Sequence, residues 1–527
     1  MLVHFLTKTI KKVKFIHVFW VFFYLLLLGV LIYNGSSYLD PDFGWHLTVG
    51  QEITRTHVVP QTNLYNYTYT GNWVDHEWLG NFILAQTYNN FGYNLIVIIF
   101  ASLIILTMII LNIFAYSKGK IIFWLMAVFQ ALGVLASMPH FGVRLQELAL
   151  LFTLLLLIII SYYNQSKNWK ILIVLPPLFF LWANLHASFL IGFFILFSWV
   201  FIRLIENINF IKKINWLDTS KTLKPRPLYL FTLTAVISFI GTFFTPYGLK
   251  LYSFLIGYGN NAYLSLIDEW LPQSALPLNL AQLLYLALGT TALLFYFYNC
   301  FKDKGKINIW KIFLPIIFLI MSFESKRHFP LFFIVSFGFI MEVYTPIFIS
   351  LKFAYSKYLK ALLIFCLGLM ILLQFLQIKP VNNPLTNFCD NYPCGAINFL
   401  KENPQYKNDN IFNEYSWGGF LIWAMPEKKL FIDGRLPQVA FSHWTFIEEY
   451  HDFFVSKDKL TAKLKNYNIK LILIRNNQKT YIPKRWEKLF FPVAVASKNI
   501  LVSYLNESPD WNVIYRDDTA KIYFYNK

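Results

Sequence analysis

The sequence predicts a polytopic α-helical membrane protein that ends in a smaller α/β domain. Composition gives the first indication, because 57% of the 527 residues are hydrophobic and 14% are charged, whereas soluble globular proteins carry about 25% charged residues. Apolar runs of about 20 residues, the length that crosses a bilayer, recur up to residue 378. Beyond that point charged residues, Asn and Pro become frequent, which indicates a separate domain over 379–527.

About eleven apolar runs are candidate membrane spans by length and hydropathy. They lie at 16–34, 94–115, 121–138, 147–163, 170–184, 189–205, 228–245, 278–299, 309–323, 329–349 and 359–378. The segment 76–92 is also apolar, but Asn and Gln interrupt it. This mixed pattern predicts a helix that lies on the membrane surface.

The basic residues indicate the topology. A net charge of +18 could reflect nucleic-acid binding, but the Lys and Arg residues fall between the apolar runs, as the positive-inside rule requires. We therefore predict no nucleic-acid partner. With the N-terminus in the cytoplasm, the loops that contain Lys167, Arg203 and Lys302 are inner loops. An odd number of spans then leaves 379–527 on the outer face of the cytoplasmic membrane.

Short β-rich runs alternate with helical patterns in the C-terminal part, which predicts an extracytoplasmic α/β domain. These runs are 410–413, 429–432, 470–474, 513–516 and 520–525. Cys389 and Cys394 lie close together in the same domain. A disulfide between them is compatible with a position outside the cytoplasm.

Ionisable residues gather in the predicted outer loops, at the ends of apolar spans, where such groups indicate a functional site. The first outer loop, 34–93, carries the densest set, and a merely solvated loop surface is the competing interpretation. The candidate site residues are Asp40, Asp42, His46, Asp75, His76 and Glu77 in the first loop, then Arg144, His186, Arg327 and His328 in later ones.

These residue types allow a limited chemistry. Paired carboxylates with His can hold a divalent metal ion, or one carboxylate can act as a general base on an acceptor hydroxyl. Arg144 or Arg327 can bind a phosphate through two parallel hydrogen bonds. Together with an apolar transmembrane groove, these groups predict a lipid-phosphate substrate and contacts with membrane lipids.

Several motifs resemble the C-type glycosyltransferase superfamily, the multispan enzymes that use polyprenyl-phosphate-linked sugars, and within it a group of bacterial membrane proteins. The motifs are Asp40-Pro-Asp-Phe-Gly-Trp-His46, Trp73-Val-Asp75-His-Glu77-Trp78, Trp182-Ala-Asn184-Leu-His186, Arg327-His-Phe-Pro-Leu331 and Phe431-Ile-Asp433-Gly-Arg435. The chain departs from the commonest form of the group at Gly44, where an aromatic residue is frequent, and at Asn63, where Asp is frequent.

The resemblance implies roles for the candidate residues. Asp40 and Asp42 are implied as the catalytic base or as ligands of a divalent metal, Mg or Mn, and Glu77 as a further catalytic carboxylate. The substrate-binding residues would be His46, Asp75, His76, Arg144, His186, Arg327 and His328. Residues 1–378 would form the transferase domain. Asp433 and Arg435 would brace the outer domain against the membrane part or recognise the acceptor.

We therefore expect a glycosyltransferase, inverting, that moves a sugar from a polyprenyl-phosphate donor to a glycan, lipid or protein acceptor at the outer face of the membrane. Two alternatives stay open. A transporter or binding protein for lipid-linked glycans needs the same groove and the same arginines, but it usually carries polar residues inside the spans. A surface-glycan polymerase or ligase relies on Arg and His without a catalytic pair of carboxylates.

Overall fold

The computed structural model describes residues 15–116, 123–218, 224–257, 266–271, 278–302, 305–349, 357–437, 439–441, 444–476 and 499–526. Helices make up most of the part before residue 378. Their bounds are α1 Phe15–Ser37, α2 Phe43–Thr56, α3 Trp78–Tyr116, α4 Phe123–Ser137, α5 Leu148–Ser166, α6 Leu175–Leu185, α7 Phe189–Glu206, α8 Asn209–Lys212, α9 Pro225–Gly241, α10 Leu249–Gly257, α11 Leu280–Lys302, α12 Ile309–Glu324, α13 Phe329–Ile349 and α14 Lys357–Gln377.

The membrane helices confirm the polytopic fold class. In the described residues seven helices, namely α1, α3, α4, α5, α7, α11 and α13, are long and apolar enough to cross a membrane. Shorter apolar helices occupy Trp169–Leu185, Pro225–Gly241 and Gly368–Gln377. A helix is present at every one of the eleven predicted spans. The chain is therefore a multi-pass membrane protein.

The predicted surface segment is the first part of α3. This helix is interrupted at Gly92, whose φ of 76° and ψ of −177° are not helical. Glycine suits this position because it adopts positive φ without steric cost. The arm that precedes Gly92 buries Asn81, Leu84 and Ala85 and packs against α2.

Helix α2 lies inside the first outer loop and was not predicted. Its buried residues include Phe43, Trp45, Leu47 and Ile53, and burial is continuous from Phe43 to Leu47, so the start of the helix is enclosed on all sides. The helix ends at His57, which has a φ of 56°. Hydrophobic burial therefore orders a part of the segment that the sequence predicts as a loop.

The C-terminal domain combines short helices with a mixed sheet, as predicted. Its elements are α15 Pro384–Asn387, α16 Cys394–Glu402, β1 Asn410–Asn413, α17 Gly418–Ala424, β2 Ala440–Phe441, β3 Trp444–Thr445, α18 Phe446–Val455, α19 Lys457–Asn466, β4 Ile469–Arg475, α20 Ile500–Glu507, β5 Trp511–Arg516 and β6 Ala520–Tyr525. The main sheet has the order β1-β4-β6-β5, with β1 and β4 parallel and the other neighbours antiparallel. Cys389 and Cys394 form a disulfide.

One predicted strand was wrong. The run 429–432 makes only a single bridge on each side, at Leu430, to Ile411 of β1 and to Asn66 of the first outer loop. The Leu430 amide donates to the Tyr65 carbonyl, and the Tyr67 amide donates to the Leu430 carbonyl. The first loop thus extends the sheet of the C-terminal domain by one short contact, so this run joins the two parts of the chain.

Arg435 locks the same junction. Its guanidinium donates to both carboxylate oxygens of Asp433 at 2.8 Å and to the side-chain oxygens of Asn63 and Asn66 at 3.1 Å. The rings of Tyr65 and Trp73 lie on it at 4.9 and 4.8 Å. A paired, buried guanidinium of this kind favours the bracing role of Asp433 and Arg435. Asn63, which stands where Asp is frequent in the resembling group, belongs to this brace.

Two glycines let the first loop and the C-terminal domain approach each other closely. A Cβ atom on Gly44 of α2 would collide with the carbonyl oxygen of Gly419 in α17. In turn, a Cβ atom on Gly419 would collide with the carbonyl oxygen of Pro41. The backbones of α2 and α17 are therefore in direct contact beside Asp40 and Asp42, which explains why an aromatic residue is absent at position 44.

We expect Gly419→Ala to destabilise the protein by about 1–3 kcal/mol, the usual cost of overpacking. The added methyl group has to push the Pro41 carbonyl away, and the loop bearing Asp42 moves with it. Thermal unfolding of the protein in detergent measures the effect. Gly338→Ala is the matched control, because a Cβ atom there meets no atom within 4 Å. An unchanged midpoint for Gly419→Ala would show that the contact is slack.

Candidate active site

A cavity of about 350 Å³ lies where the ends of the membrane helices meet the first loop and the C-terminal domain. Of the ten candidate residues, nine line it: Asp40, Asp42, His46, His76, Glu77, Arg144, His186, Arg327 and His328. The tenth, Asp75, is fully buried behind the wall. The structure therefore gathers residues from five separate segments of the chain into one place.

Chain topology explains this convergence. Asp40 and Asp42 follow the end of α1, and Arg144 lies in the turn between α4 and α5. His186 follows the end of α6, and Arg327 lies in a 3₁₀ turn between α12 and α13. Each of these turns follows the C-terminal end of an apolar helix, namely α1, α4, α6 and α12. The prediction of a one-sided cluster at the span ends agrees with this geometry.

A chain of ion pairs crosses the cavity. Arg144 pairs through its Nε with Asp40 and through its Nη2 with Glu269 at 2.8 Å. Arg327 Nη1 lies 3.5 Å from the other oxygen of Glu269, and its guanidinium lies 4.9 Å from the Trp270 ring centroid. Burial alone would raise the pKa of Glu269, but the charges of Arg144 and Arg327 lower it to about 2.

Asp42 occupies a different electrostatic environment. Its backbone amide donates to Asp40 Oδ1 at 2.9 Å, and its own Oδ1 accepts from Trp45 Nε1 at 2.8 Å. Gly434 of the C-terminal domain lies directly against its carboxylate. Burial, followed by the negative charge of Asp40, raises the pKa of Asp42 to about 7. Of the two aspartates, Asp42 is thus the one poised to exchange a proton near neutral pH.

Glu77 is surrounded by three histidines. Its Oε1 lies 3.0 Å from His186 Nε2 and 3.3 Å from His76 Nε2, and its Oε2 lies 3.5 Å from His46 Nε2. Although burial on its own raises the pKa of Glu77, His186 and His76 hold it well below the usual range. Burial lowers the pKa of His76, but the charge of Glu77 outweighs it and raises that pKa above 6.5. Glu77 is therefore an ionised anchor for the histidines.

Hydrogen bonds assign the protonated nitrogens of two of these histidines. Asn81 Nδ2 donates to both oxygens of Asp75 at 2.9 Å, so its Oδ1 accepts from His46 Nδ1 at 2.6 Å. His186 Nδ1 accepts from the Ser188 amide at 2.9 Å, which puts the proton of the neutral ring on Nε2, facing Glu77. Asp75 thus acts from behind the cavity wall, through Asn81.

Sequence analysis missed several residues of the cavity. Glu269 and Trp270 precede a predicted span but carry no recognisable motif. His140 lines the cavity and is 5% exposed, and neither of its ring nitrogens has a hydrogen-bond partner among the described residues. Its spacing of four residues from Arg144, within one predicted outer turn, was the available signal. Asn81 lies in an apolar run, and its role depends on a contact 35 residues away.

The expected divalent metal at Asp40 and Asp42 stays a prediction. The oxygens of Asp40 already pair with Arg144 and accept a hydrogen bond from the Asp42 amide. One oxygen of Asp42 accepts a hydrogen bond from Trp45. Among the described residues, no group of three or more His, Cys, Asp or Glu side chains is arranged to hold a metal ion. As arranged here, the two aspartates do not form a cation site, so no chemical step below passes through a metal.

A second cavity, of about 310 Å³, lies on the other side of the Asp40–Arg144 pair. Both cavities are lined by Asp40, Phe141 and Arg144. The smaller one continues along Asn34 and Tyr38 at the end of α1. Both cavities are thus bounded by this ion pair, and Asp42 lines the larger one.

Comparison with known proteins identifies the fold. No protein-family model and no curated protein sequence matches the chain. An apo crystal structure of the oligosaccharyltransferase of Archaeoglobus fulgidus is similar, with a TM-score of 0.53 and 12% identity, over 88% of this chain and 70% of that one. A structure of this archaeal enzyme, AglB, with an inhibitory peptide and a dolichol-phosphate has a TM-score of 0.53, 11% identity and the same coverage.

A third structure of the Archaeoglobus fulgidus oligosaccharyltransferase, tethered to an acceptor peptide with the NVT sequon, also has a TM-score of 0.53, with 12% identity over 88% of this chain and 69% of that one. Identities this low establish a shared fold. That fold combines a multispan membrane part with a C-terminal domain, in agreement with the arrangement described above.

The histidine cluster predicts a pH-dependent stability. Because the folded protein holds the pKa of His76 above 6.5, the pair of protonated His76 and Glu77 stabilises the fold fully below pH 6.5. This stabilisation is lost as the pH rises through the raised pKa of His76. We therefore expect Glu77→Gln to lower the thermal midpoint more at about pH 6 than at about pH 9. Glu52→Gln is the control, since its partner Arg55 does not titrate there. A pH-independent effect of Glu77→Gln would contradict the assignment.

Proposed function

We propose that the protein is a membrane glycosyltransferase that moves a sugar or glycan from a polyprenyl-phosphate donor to an acceptor at the outer face of the cytoplasmic membrane. One observation carries the proposal. A carboxylate with a pKa of about 7, Asp42, stands beside an arginine that separates two cavities, at the span ends of a fold similar to that of an oligosaccharyltransferase. Sugar transfer needs a base for the acceptor nucleophile and a cation for the leaving phosphate, and here Asp42 and the arginines line the same cavity.

The larger cavity suits the donor. Its walls include the apolar side chains of Leu150 on α5, Ile191 on α7 and Leu255 on α10, along which a prenyl chain can lie. Its polar end holds Arg144 and Arg327, which match a phosphate. In the archaeal enzyme with the similar fold, one structure contains a dolichol-phosphate, which supports a donor of this class.

The acceptor nucleophile has to lie against Asp42, which lines the larger cavity and not the smaller one. The smaller cavity shares Asp40, Phe141 and Arg144 with the larger one, so we assign this adjoining space to the rest of the acceptor. Direct attack of the nucleophile on the anomeric carbon, opposite the leaving phosphate, inverts that carbon. A similar structure tethered to an acceptor peptide supports a protein acceptor as one member of the class, beside glycans and lipids.

The residues divide the chemistry between them. Asp42 takes the proton from the acceptor nucleophile as this nucleophile attacks the anomeric carbon. The bond from that carbon to the phosphate oxygen breaks, and the arginines bind the negative charge that develops on the leaving phosphate. Asp40 orients Asp42 through the hydrogen bond from the Asp42 amide. Glu77 and Asp75 hold the histidines that border the sugar.

The outer face is supported by two observations. The Cys389–Cys394 disulfide lies in the domain that shares the site, and disulfides persist in oxidising compartments. Lys167, Arg203 and Lys302 lie at or near the opposite ends of their helices, as expected for the cytoplasmic side. The N-terminus is then cytoplasmic.

We expect Asp42→Asn to reduce transfer by about a hundredfold to ten-thousandfold, as for the loss of a general base, with little change in thermal stability. Mass spectrometry of polyprenyl-phosphate sugars in membranes that contain the protein measures donor consumption. Asp390→Asn, an exposed carboxylate of the C-terminal domain, is the matched control. Donor consumption at the wild-type rate in Asp42→Asn would sink the assignment and favour a transporter of lipid-linked glycans.

The pH dependence of transfer provides a second test of the same base. Because the pKa of Asp42 is raised to about 7, the carboxylate is half protonated near neutrality, and only the ionised form accepts a proton. We expect the rate to fall about tenfold per pH unit below pH 7. An initial-rate series between about pH 5 and 8 measures this limb. A rate that stays constant down to pH 5 would exclude Asp42 as the group that titrates.

A further inference from the structure

The carboxylate of Glu269 occupies a position suited to a bound anion. Each of its oxygens contacts a different arginine, Arg144 at 2.8 Å and Arg327 at 3.5 Å. The two arginines come from distant turns of the chain, and this side chain contacts both of them. A phosphate presents the same feature, namely two oxygens that two guanidinium groups can bind at once.

The contacts of Glu269 differ in how easily a ligand can replace them. Its backbone is anchored, because its carbonyl oxygen accepts from Ser325 Oγ at 3.0 Å. Its side chain is 36% exposed to the cavity. The Arg327 side chain is 31% exposed, so its 3.5 Å contact with Glu269 contributes little stability. The 2.8 Å pair with Arg144, whose side chain is 17% exposed, is the contact that a ligand oxygen has to replace. The carboxylate can therefore rotate away while the segment that carries it stays in place.

The surroundings already contain a further polar group that faces this position. His140 lines the same cavity, is nearly fully buried and has no hydrogen-bond partner for either ring nitrogen among the described residues. Such a group in a native protein calls for an explanation, and a ligand oxygen satisfies it. His140 also senses the charges of Glu269, Arg144 and Arg327, so it belongs to the same cluster.

The charges in contact at this position indicate how many negative charges the bound anion carries. Arg144 and Arg327 are matched by Asp40 and Glu269, which leaves no net charge among the groups in contact. Replacing one carboxylate with one phosphodiester, which carries a single negative charge, keeps this balance. A diphosphate adds a second negative charge beside Asp40 and Asp42, and like charges at close range are costly in a buried site.

We propose that the position of the Glu269 carboxylate is the phosphate subsite of the donor, and that a single phosphate group displaces this carboxylate to bind Arg144, Arg327 and His140. This inference rests on the proposed transferase function and specifies its donor as a prenyl monophosphate derivative. Glu269 is then a placeholder that keeps the two arginines aligned between turnovers.

Binding of farnesyl methyl phosphate, a phosphodiester that carries a single negative charge, to the full-length protein in detergent micelles tests the proposal by titration calorimetry. Glu269→Gln removes the competing charge, so we expect the dissociation constant to fall about twofold to fivefold, the scale of a partly exposed ion pair that no longer has to be broken. Arg327→Gln should weaken binding to a similar extent. Farnesyl diphosphate should bind wild-type protein no more tightly than the monophosphate.

Glu324→Gln is the matched control, because Glu324 is an exposed carboxylate at the end of α12, three residues from Arg327. An equal gain in this variant would show that bulk charge is responsible and would overturn the proposal. Unchanged or weaker binding by a folded Glu269→Gln protein would overturn it as well. If Glu269→Gln does not fold, Glu269→Asp carries the same expectation, since the shorter side chain cannot reach both arginines.

The two proposals fail in different ways. If wild-type protein binds neither prenyl phosphate, the transferase function loses its donor class. If wild-type protein binds farnesyl methyl phosphate and Glu269→Gln gains no affinity, only the role of Glu269 is wrong. Tighter binding of the diphosphate by wild-type protein would contradict the monophosphate assignment and leave the transferase proposal intact.

Discussion

The close contact between helix α2 and the C-terminal domain is the constraint on which the site depends. Asp40 and Asp42 lie in the short segment between α1 and α2, and such a segment would be free to move if only its two ends were held. Gly44 and Gly419 bring the backbones of α2 and α17 together, and Gly434 contacts the Asp42 carboxylate. The C-terminal domain thus determines where the candidate base points, although it lies almost 400 residues further along the chain.

The brace at Arg435 serves the same purpose from another direction. A buried guanidinium is costly unless its hydrogen bonds and charge are satisfied, and here Asp433, Asn63 and Asn66 share that task. Because Asn63 and Asn66 belong to the first loop, separation of the loop from the domain would leave the Arg435 guanidinium without these two acceptors. The electrostatic balance of Arg435 therefore stabilises the geometry around Asp42, which it does not touch.

The sequence was sufficient for the membrane helices and for nine of the residues that line the larger cavity, and insufficient for the contacts between them. An apolar run is a local signal, so each predicted span coincides with a helix. Span ends on one face converge by topology, so Arg144 and Arg327 could be grouped with Asp40. The partner of each group could not be predicted, because it depends on contacts between distant residues. Arg435 and Asn63 are 372 positions apart. Leu430 lies in a run that the sequence predicts as a strand, but this residue makes only isolated bridges, to Asn66 and Ile411.

The division of labour between Asp40 and Asp42 follows from a single asymmetry. Both carboxylates are partly enclosed, but Arg144 pairs with Asp40 and reaches Asp42 only at longer range. Burial raises the pKa of Asp42, and the neighbouring negative charge of Asp40 raises it further. A residue that must accept a proton near neutral pH gains from this arrangement, since a base with a higher pKa binds the proton more strongly. Arg144 thus has two roles: its pairing with Asp40 holds in place the charge that acts on Asp42, and its contact with Glu269 marks the position that we assign to the anion.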